Sequence, residues 1–100
     1  MRIVRRALSV MEAFQMTFPN RVNNEEWPEW MHQAWNTPHH EIGSIFPSGF
    51  PESDGKDKLY LRIPVGPLTI EWGDYIIKER DGNVRICKQV NFEDTYMEVV

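Results

Sequence analysis

Residues 65–100 limit the fold most. They read VGPLTIEWGDYIIKERDGNVRICKQVNFEDTYMEVV, strand-period segments divided by turn residues with almost no slack. Leu68, Ile70 and Trp72 alternate with Thr69 and Glu71, the period of a strand with one buried face. Gly73-Asp74 predicts a corner, and Tyr75-Ile76-Ile77-Lys78-Glu79 the next strand. Arg80-Asp81-Gly82-Asn83 predicts a hairpin turn, because Asp-Gly supplies the positive φ such a loop needs. Residues 84–90 return as a strand. Asn91-Phe92-Glu93-Asp94 reads as one helical turn capped by Asn91, and residues 95–100 as a closing strand.

Upstream, residues 2–17 predict a first strand. Leu8, Val10, Phe14 and Met16 share one face, and Ala7, Ser9, Met11 and Ala13 the other. Glu12 falls on the first, apolar face, so either a bulge shifts the register or a carboxylate points inward. Phe18-Pro19-Asn20 is a break. The one good helix signal covers residues 24–36, where Trp27, Trp30, Met31, Ala34 and Trp35 form a stripe at 3.6-residue spacing. Asn23 or Asn24 caps it, Pro28 lies in its first turn, and Thr37-Pro38 ends it. Residues 37–58 are loosest, with a short strand at 42–46 and a polar loop at 53–58. Leu59, Leu61, Ile63 and Val65 then alternate strictly, Pro64 marks an edge or strand end, and Gly66-Pro67 reads as a turn.

These segments predict an α+β fold: one domain over residues 1–100, a mainly antiparallel sheet of about six short strands with one amphipathic helix packed on it. A mobile loop is expected at about 47–58. The first strand is long, and the C-terminal strand is its natural partner. At 41% hydrophobic and 26% charged residues, the composition is that of an ordinary soluble domain. The basic start followed by apolar residues fails as a signal peptide, because Glu12 interrupts it and no small-residue cleavage site follows. With no apolar run near membrane length and a single cysteine, which precludes an intrachain disulfide, the expected location is the bacterial cytoplasm. The net charge of −4 and a lone basic cluster of Arg2, Arg5 and Arg6 argue against binding double-stranded DNA.

Gly73, Asp74, Ile76, Ile77, Gly82, Cys87, Lys88, Phe92, Glu93, Thr95 and Tyr96 carry a resemblance. In these residues the chain resembles a family of small, uncharacterised phage and prophage proteins that end in Gly-Asp-Trp-Ile-Ile, a Gly-Glu turn, Cys-Lys-Pro and Phe-Glu-x-Thr-Tyr-Glu. The opening is similar too, with Arg5-Arg6 leading to Val10-Met11-Glu12-Ala13-Phe14. Tyr75 replaces the usual Trp and Gln89 the usual Pro. The resemblance implies a phage or prophage origin and expression in a bacterial host. It implies no reaction and no catalytic residue.

Glu12, Trp35, Arg62, Asp74 and Arg85 are the candidate binding residues. An inward Glu12 needs a partner. It either pairs with Arg62, Arg85 or Lys88, or it serves as a ligand group with a raised pKa. Asp74 at the corner either accepts turn amides in an Asx-type turn or faces a pocket. The stripe of Trp27, Trp30 and Trp35 reads first as core, since a helix on a sheet buries such a face. Three Trp with Met31 and Ala34 are nevertheless many for one small sheet to cover, and if one is left out as a partner anchor it is Trp35, at the helix end. Cys87 lacks a nearby base in sequence and reads as a small buried hydrophobe. His32, His39, His40 and Glu41 lack the spacing of metal ligands, so no metal or cofactor is expected.

The expected function is therefore a non-enzymatic phage accessory protein that binds a host, defence or phage protein. A nucleotide-type ligand held by Arg5, Arg6, Arg62 and Arg85 with stacking aromatics is the alternative. A structural role in the virion is another. Self-association stays open.

Overall fold

The structure is a computed structural model that describes residues 2–5, 9–51, 55–79 and 81–98, and side chains over 11–24, 26–49, 55–79 and 81–96. The fold is α+β with two antiparallel sheets. The five-stranded sheet has the order β7-β6-β2-β1-β8, and the three-stranded one β3-β4-β5. The strands are β1 (Arg2–Arg5), β2 (Ser9–Gln15), β3 (Ile45–Pro51), β4 (Asp57–Ile63), β5 (Gly66–Ile70), β6 (Tyr75–Lys78), β7 (Val84–Cys87) and β8 (Tyr96–Glu98). Three helices accompany them: α1 (Phe18–Val22), α2 (Glu29–Asn36) and α3 (Gln89–Thr95).

The expected first strand is two strands. β1 and β2 pair antiparallel from Arg2 opposite Glu12 to Arg5 opposite Ser9. Ala7 and Leu8 lie outside the described residues. The C-terminal strand does pair with the first: β8 lies antiparallel to β1, with Ile3 opposite Glu98. The last two residues of the predicted closing strand lie outside the described residues.

β2 contributes to two cores, because successive strand residues face opposite sides. Phe14 and Met16 join the larger core, built from Trp27, Trp30, Met31, Ala34, Ile45, Leu59, Leu61, Ile70 and Ile76. Met11 and Ala13 join a smaller one with Ile77, Cys87, Phe92 and Tyr96. Ile76 and Ile77 are consecutive and both fully buried, as a strand covered on both faces requires. Fully burying such a side chain contributes about 1.5–3 kcal/mol. The second cover is α3, longer than the single turn expected. It follows directly on Cys87 and Lys88, and its Phe92 stacks on Tyr75 at a centroid separation of 3.6 Å.

The Trp stripe packs as expected, but on a shorter helix. Asn24–Glu26 is a 3-10 turn, and α2 begins after Pro28, which is its N-cap rather than a first-turn residue. A proline there ends the first hydrogen-bonded run, since it has no N–H to donate. The predicted break at Phe18-Pro19-Asn20 is instead α1, with Pro19 in its first turn and the Thr17 hydroxyl accepting from the Asn20 N–H. The short strand expected at 42–46 starts at Ile45 and runs to Pro51. Much of the loop expected at 47–58 is thus paired strand, with Pro47 opposite Leu59 and Pro51 opposite Asp57. Residues 52–54 lie outside the described residues. The β4–β5 turn falls on Pro64 and Val65, and Gly66 and Pro67 open β5. β5 is an edge strand, the place in a sheet that tolerates a proline.

Candidate functional site

A surface groove runs where α2 and both sheets meet. Two adjoining clefts form it and share Ile42, Gly43, Gly82 and Val84. One, of about 180 Å³, is walled by Trp30, Gln33, Ala34 and Thr37 of α2 and its C-terminal end, and by Lys78. The other, of about 320 Å³, continues toward Ile63, Pro64 and Asn83. Local chemistry builds these walls. The Asp81-Gly82-Asn83 turn closes with the Glu79 N–H donating to the Asn83 carbonyl, and Gly82 adopts φ +93°. On the opposite bank, the Gly43 N–H donates to the Arg62 carbonyl and the Ser44 hydroxyl to the Thr37 carbonyl. These bonds hold Ile42 at the groove's lip, 64% exposed. Val65, next to Pro64 in the chain, is 91% exposed. Ile42 thus offers a large apolar side chain to whatever enters the groove.

Sequence reasoning placed Ile42 at the start of a strand and missed its exposure. The available signal was a lone large aliphatic residue between Glu41 and Gly43 in a polar stretch. Lys78 also escaped notice. It lines the groove, and no ion pair joins it to another described residue. The indole Nε1 of Trp30, in the same wall, is buried with no hydrogen-bond acceptor.

The sequence-predicted residues do not converge on one site. Glu12 is exposed, and no bulge interrupts β2: its pairing runs in register from Glu12 opposite Lys78 to Gln15 opposite Tyr75. In register, Glu12 stands opposite Arg2 on one side and Lys78 on the other. The partners proposed for Glu12 are engaged elsewhere. Arg62 Nε donates to the His39 carbonyl at 2.9 Å and its guanidinium lies over Phe46. Arg85 pairs with Glu79 at 2.8 Å and lies over Tyr96. Lys88 pairs with Asp74 at 2.9 Å. Arg62 and Arg85 also stand in different sheets, while Arg6 and the Arg5 side chain lie outside the described residues.

Trp35 is not left out. It is half-buried against the larger core, edge-on to Trp27 and under the Arg21 guanidinium. The Asp74 side chain is 4% exposed and does accept a turn amide. The donor is the Glu71 N–H, three residues upstream, rather than the downstream amide of an Asx turn. Cys87 is buried in the smaller core, and burial raises its thiol pKa above the ordinary 9.0, opposed by nearby Arg85 and reinforced by Asp74. His39 stacks on Phe46 and His32 tilts against Trp27. Among the described residues, no group of three or more His, Cys, Asp or Glu is placed to hold a metal ion. No helix among them is long and apolar enough to cross a membrane. No family model, curated protein or solved structure matches this chain.

Proposed function

We propose that this chain is a non-enzymatic binding protein that engages a partner protein through the groove at Ile42. The observation that supports it is the exposed aliphatic side chain of Ile42, which lines both clefts of a continuous groove. Exposed apolar surface beside a concavity is the usual form of a peptide or protein contact. The two adjoining clefts form an open surface groove, which suits a chain segment better than an enclosed ligand. The partner class, a host or defence protein met by a phage or prophage accessory factor, rests on the motif resemblance alone, carried by residues 65–100 and by the similar opening.

The test is a tagged pull-down from bacterial lysate, run side by side with Ile42→Glu. The side chain is already in water, so this substitution leaves the fold intact. The expected result is one stoichiometric host protein, lost with the variant. A protein retained equally by both forms puts the contact elsewhere, and an empty capture under varied growth and infection conditions sinks the reading.

A further inference from the structure

One bank of the groove is a sheet edge. β7 ends the five-stranded sheet and pairs with β6 alone. Their hairpin closes with the Glu79 N–H donating to the Asn83 carbonyl. Main-chain bonding alternates along an antiparallel pair, so Arg85 and Cys87 turn their N–H and C=O groups to β6, opposite Ile77 and Tyr75. Val84 and Ile86 turn theirs outward. Both residues are only partly buried, and among the described residues no main-chain or side-chain group bonds to those outward groups. The larger cleft is lined by Gly82, Asn83 and Val84 but by no residue of β6, so it lies on the outer side of β7. Ile42, Ile63 and Pro64 face it from the other bank. The edge is also unguarded. β3 and β5, the edge strands of the smaller sheet, carry Pro47, Pro51 and Pro67, and a proline cannot donate to an added neighbour. β7 reads Val-Arg-Ile-Cys and has none. Donors and acceptors in strand alternation are complementary to one thing, another extended main chain. A second copy of this chain would bring its own Ile42 and Pro64 in front of its own β7. A single extended segment passes between the banks.

Resting on the protein-binding reading above, we infer that the partner enters as an added β-strand, an extended segment of about four residues paired with the outer edge of β7. The N–H groups of Val84 and Ile86 donate to its carbonyls, and their C=O groups accept from its amides. Its alternate side chains supply the preference. The set on the side of Val84 lies beside Ile42 and is apolar. The other set falls on the side of Arg85, whose guanidinium is paired with Glu79 and partly exposed, and is polar.

The probe is an end-blocked octapeptide of alternating valine and threonine with a lysine at each end, read by amide hydrogen exchange of the full chain. Without peptide, the Val84 and Ile86 amides should exchange at least about tenfold faster than those of Arg85 and Cys87. Saturating peptide should slow Val84 and Ile86 by about tenfold or more. N-methylation of every second peptide residue removes the donors on one of its edges. One methylated set should weaken binding about tenfold or more, and the other set little. Equal losses from both sets, or no slowing at Val84 and Ile86, overturn strand addition. Slowing that appears in concentrated protein without peptide assigns the edge to a second copy and overturns the partner segment. Val84→Pro removes an outward donor and leaves the bonds to β6 in place, with circular dichroism verifying the fold. It should weaken the peptide about tenfold. In the pull-down, a partner lost with Ile42→Glu but held fully by Val84→Pro overturns strand addition and leaves the groove a protein-binding site. A partner held by both variants overturns the wider reading.

Discussion

Lys88 Nζ lies 2.9 Å from Asp74 Oδ2, tying the corner that opens β6 to the residue that leaves β7. The two ends of the pair are unequal: the Asp74 side chain is 4% exposed and that of Lys88 52%. The same carboxylate oxygen also accepts the Glu71 N–H at 2.8 Å. Around it, the Met16 N–H donates to the Asp74 carbonyl and the Gly73 N–H to the Met16 carbonyl. Asp74 thus joins a turn, β2 and the β7–α3 junction at one point.

Asp74→Ala should destabilise the protein by about 2–3 kcal/mol, because it strands the Glu71 N–H and removes a charge-assisted bond. Lys88→Met should cost about 1 kcal/mol, since water screens the half-exposed ammonium. Urea denaturation of both variants checks the order. An equal or larger loss for Lys88→Met would locate the energy in the ion pair rather than in the turn.

Gly73 adopts φ +99°, and an added Cβ would come within 2.8 Å of Gln89 Oε1. Gln89 is the far end of a flexible side chain and can withdraw, so the backbone conformation decides the cost. Gly73→Ala should destabilise by about 1–3 kcal/mol. Adding Gln89→Ala should recover little of it. Full recovery in the double variant would show that the contact, not φ, dominates.

Cys87 should react slowly. Iodoacetamide at pH 8 should alkylate the native thiol at least about tenfold more slowly than the urea-unfolded one, since only the thiolate attacks and burial disfavours it. The pH dependence has a definite sign. With the folded thiol pKa raised, the native state holds its proton where the unfolded chain has lost it. The thiol's contribution is whole below its ordinary pKa and shrinks as pH rises above about 9. Cys87→Ala should flatten that alkaline loss, as thermal melts from pH 8 to 10.5 would reveal; unchanged pH dependence would exclude Cys87 as its source.

Glu12→Gln should shift stability by less than about 0.5 kcal/mol, because an exposed strand residue has no buried charge to lose. Glu12→Lys places a cation opposite Lys78 and should cost about 0.2–1 kcal/mol, less at high salt. A loss above about 2 kcal/mol with Glu12→Gln would mean the carboxylate is buried after all.

Much of the fold was legible in residue order. The alternation through Leu59, Leu61 and Ile63 became β4, the Asp-Gly turn became the β6–β7 hairpin, and the stripe of Trp27, Trp30, Met31 and Ala34 became the buried face beside α2. The pairing of the two chain ends followed from a long first segment needing a partner. The misreadings cluster where prolines stand. Pro19 opened a helix, Pro28 divided one, and Pro47, Pro51 and Pro67 lie in edge strands. A missing N–H is neutral at a helix start or a sheet edge and disruptive inside either. Sequence alone does not say which side of that boundary a proline occupies.

Local periodicity therefore settled the alternation of β4, the place of the β6–β7 turn and which face of the helix is apolar, because these depend on neighbours a few positions apart. Packing settled what covers each face. It divided the strands between two sheets, set α3 over Ile77 and left Glu12 exposed. It brought Lys88 to Asp74 across 14 residues and Ile42 to Lys78 and Val84 across a groove. Burial and pairing at such distances depend on how whole layers stack, and no window of sequence contains that information.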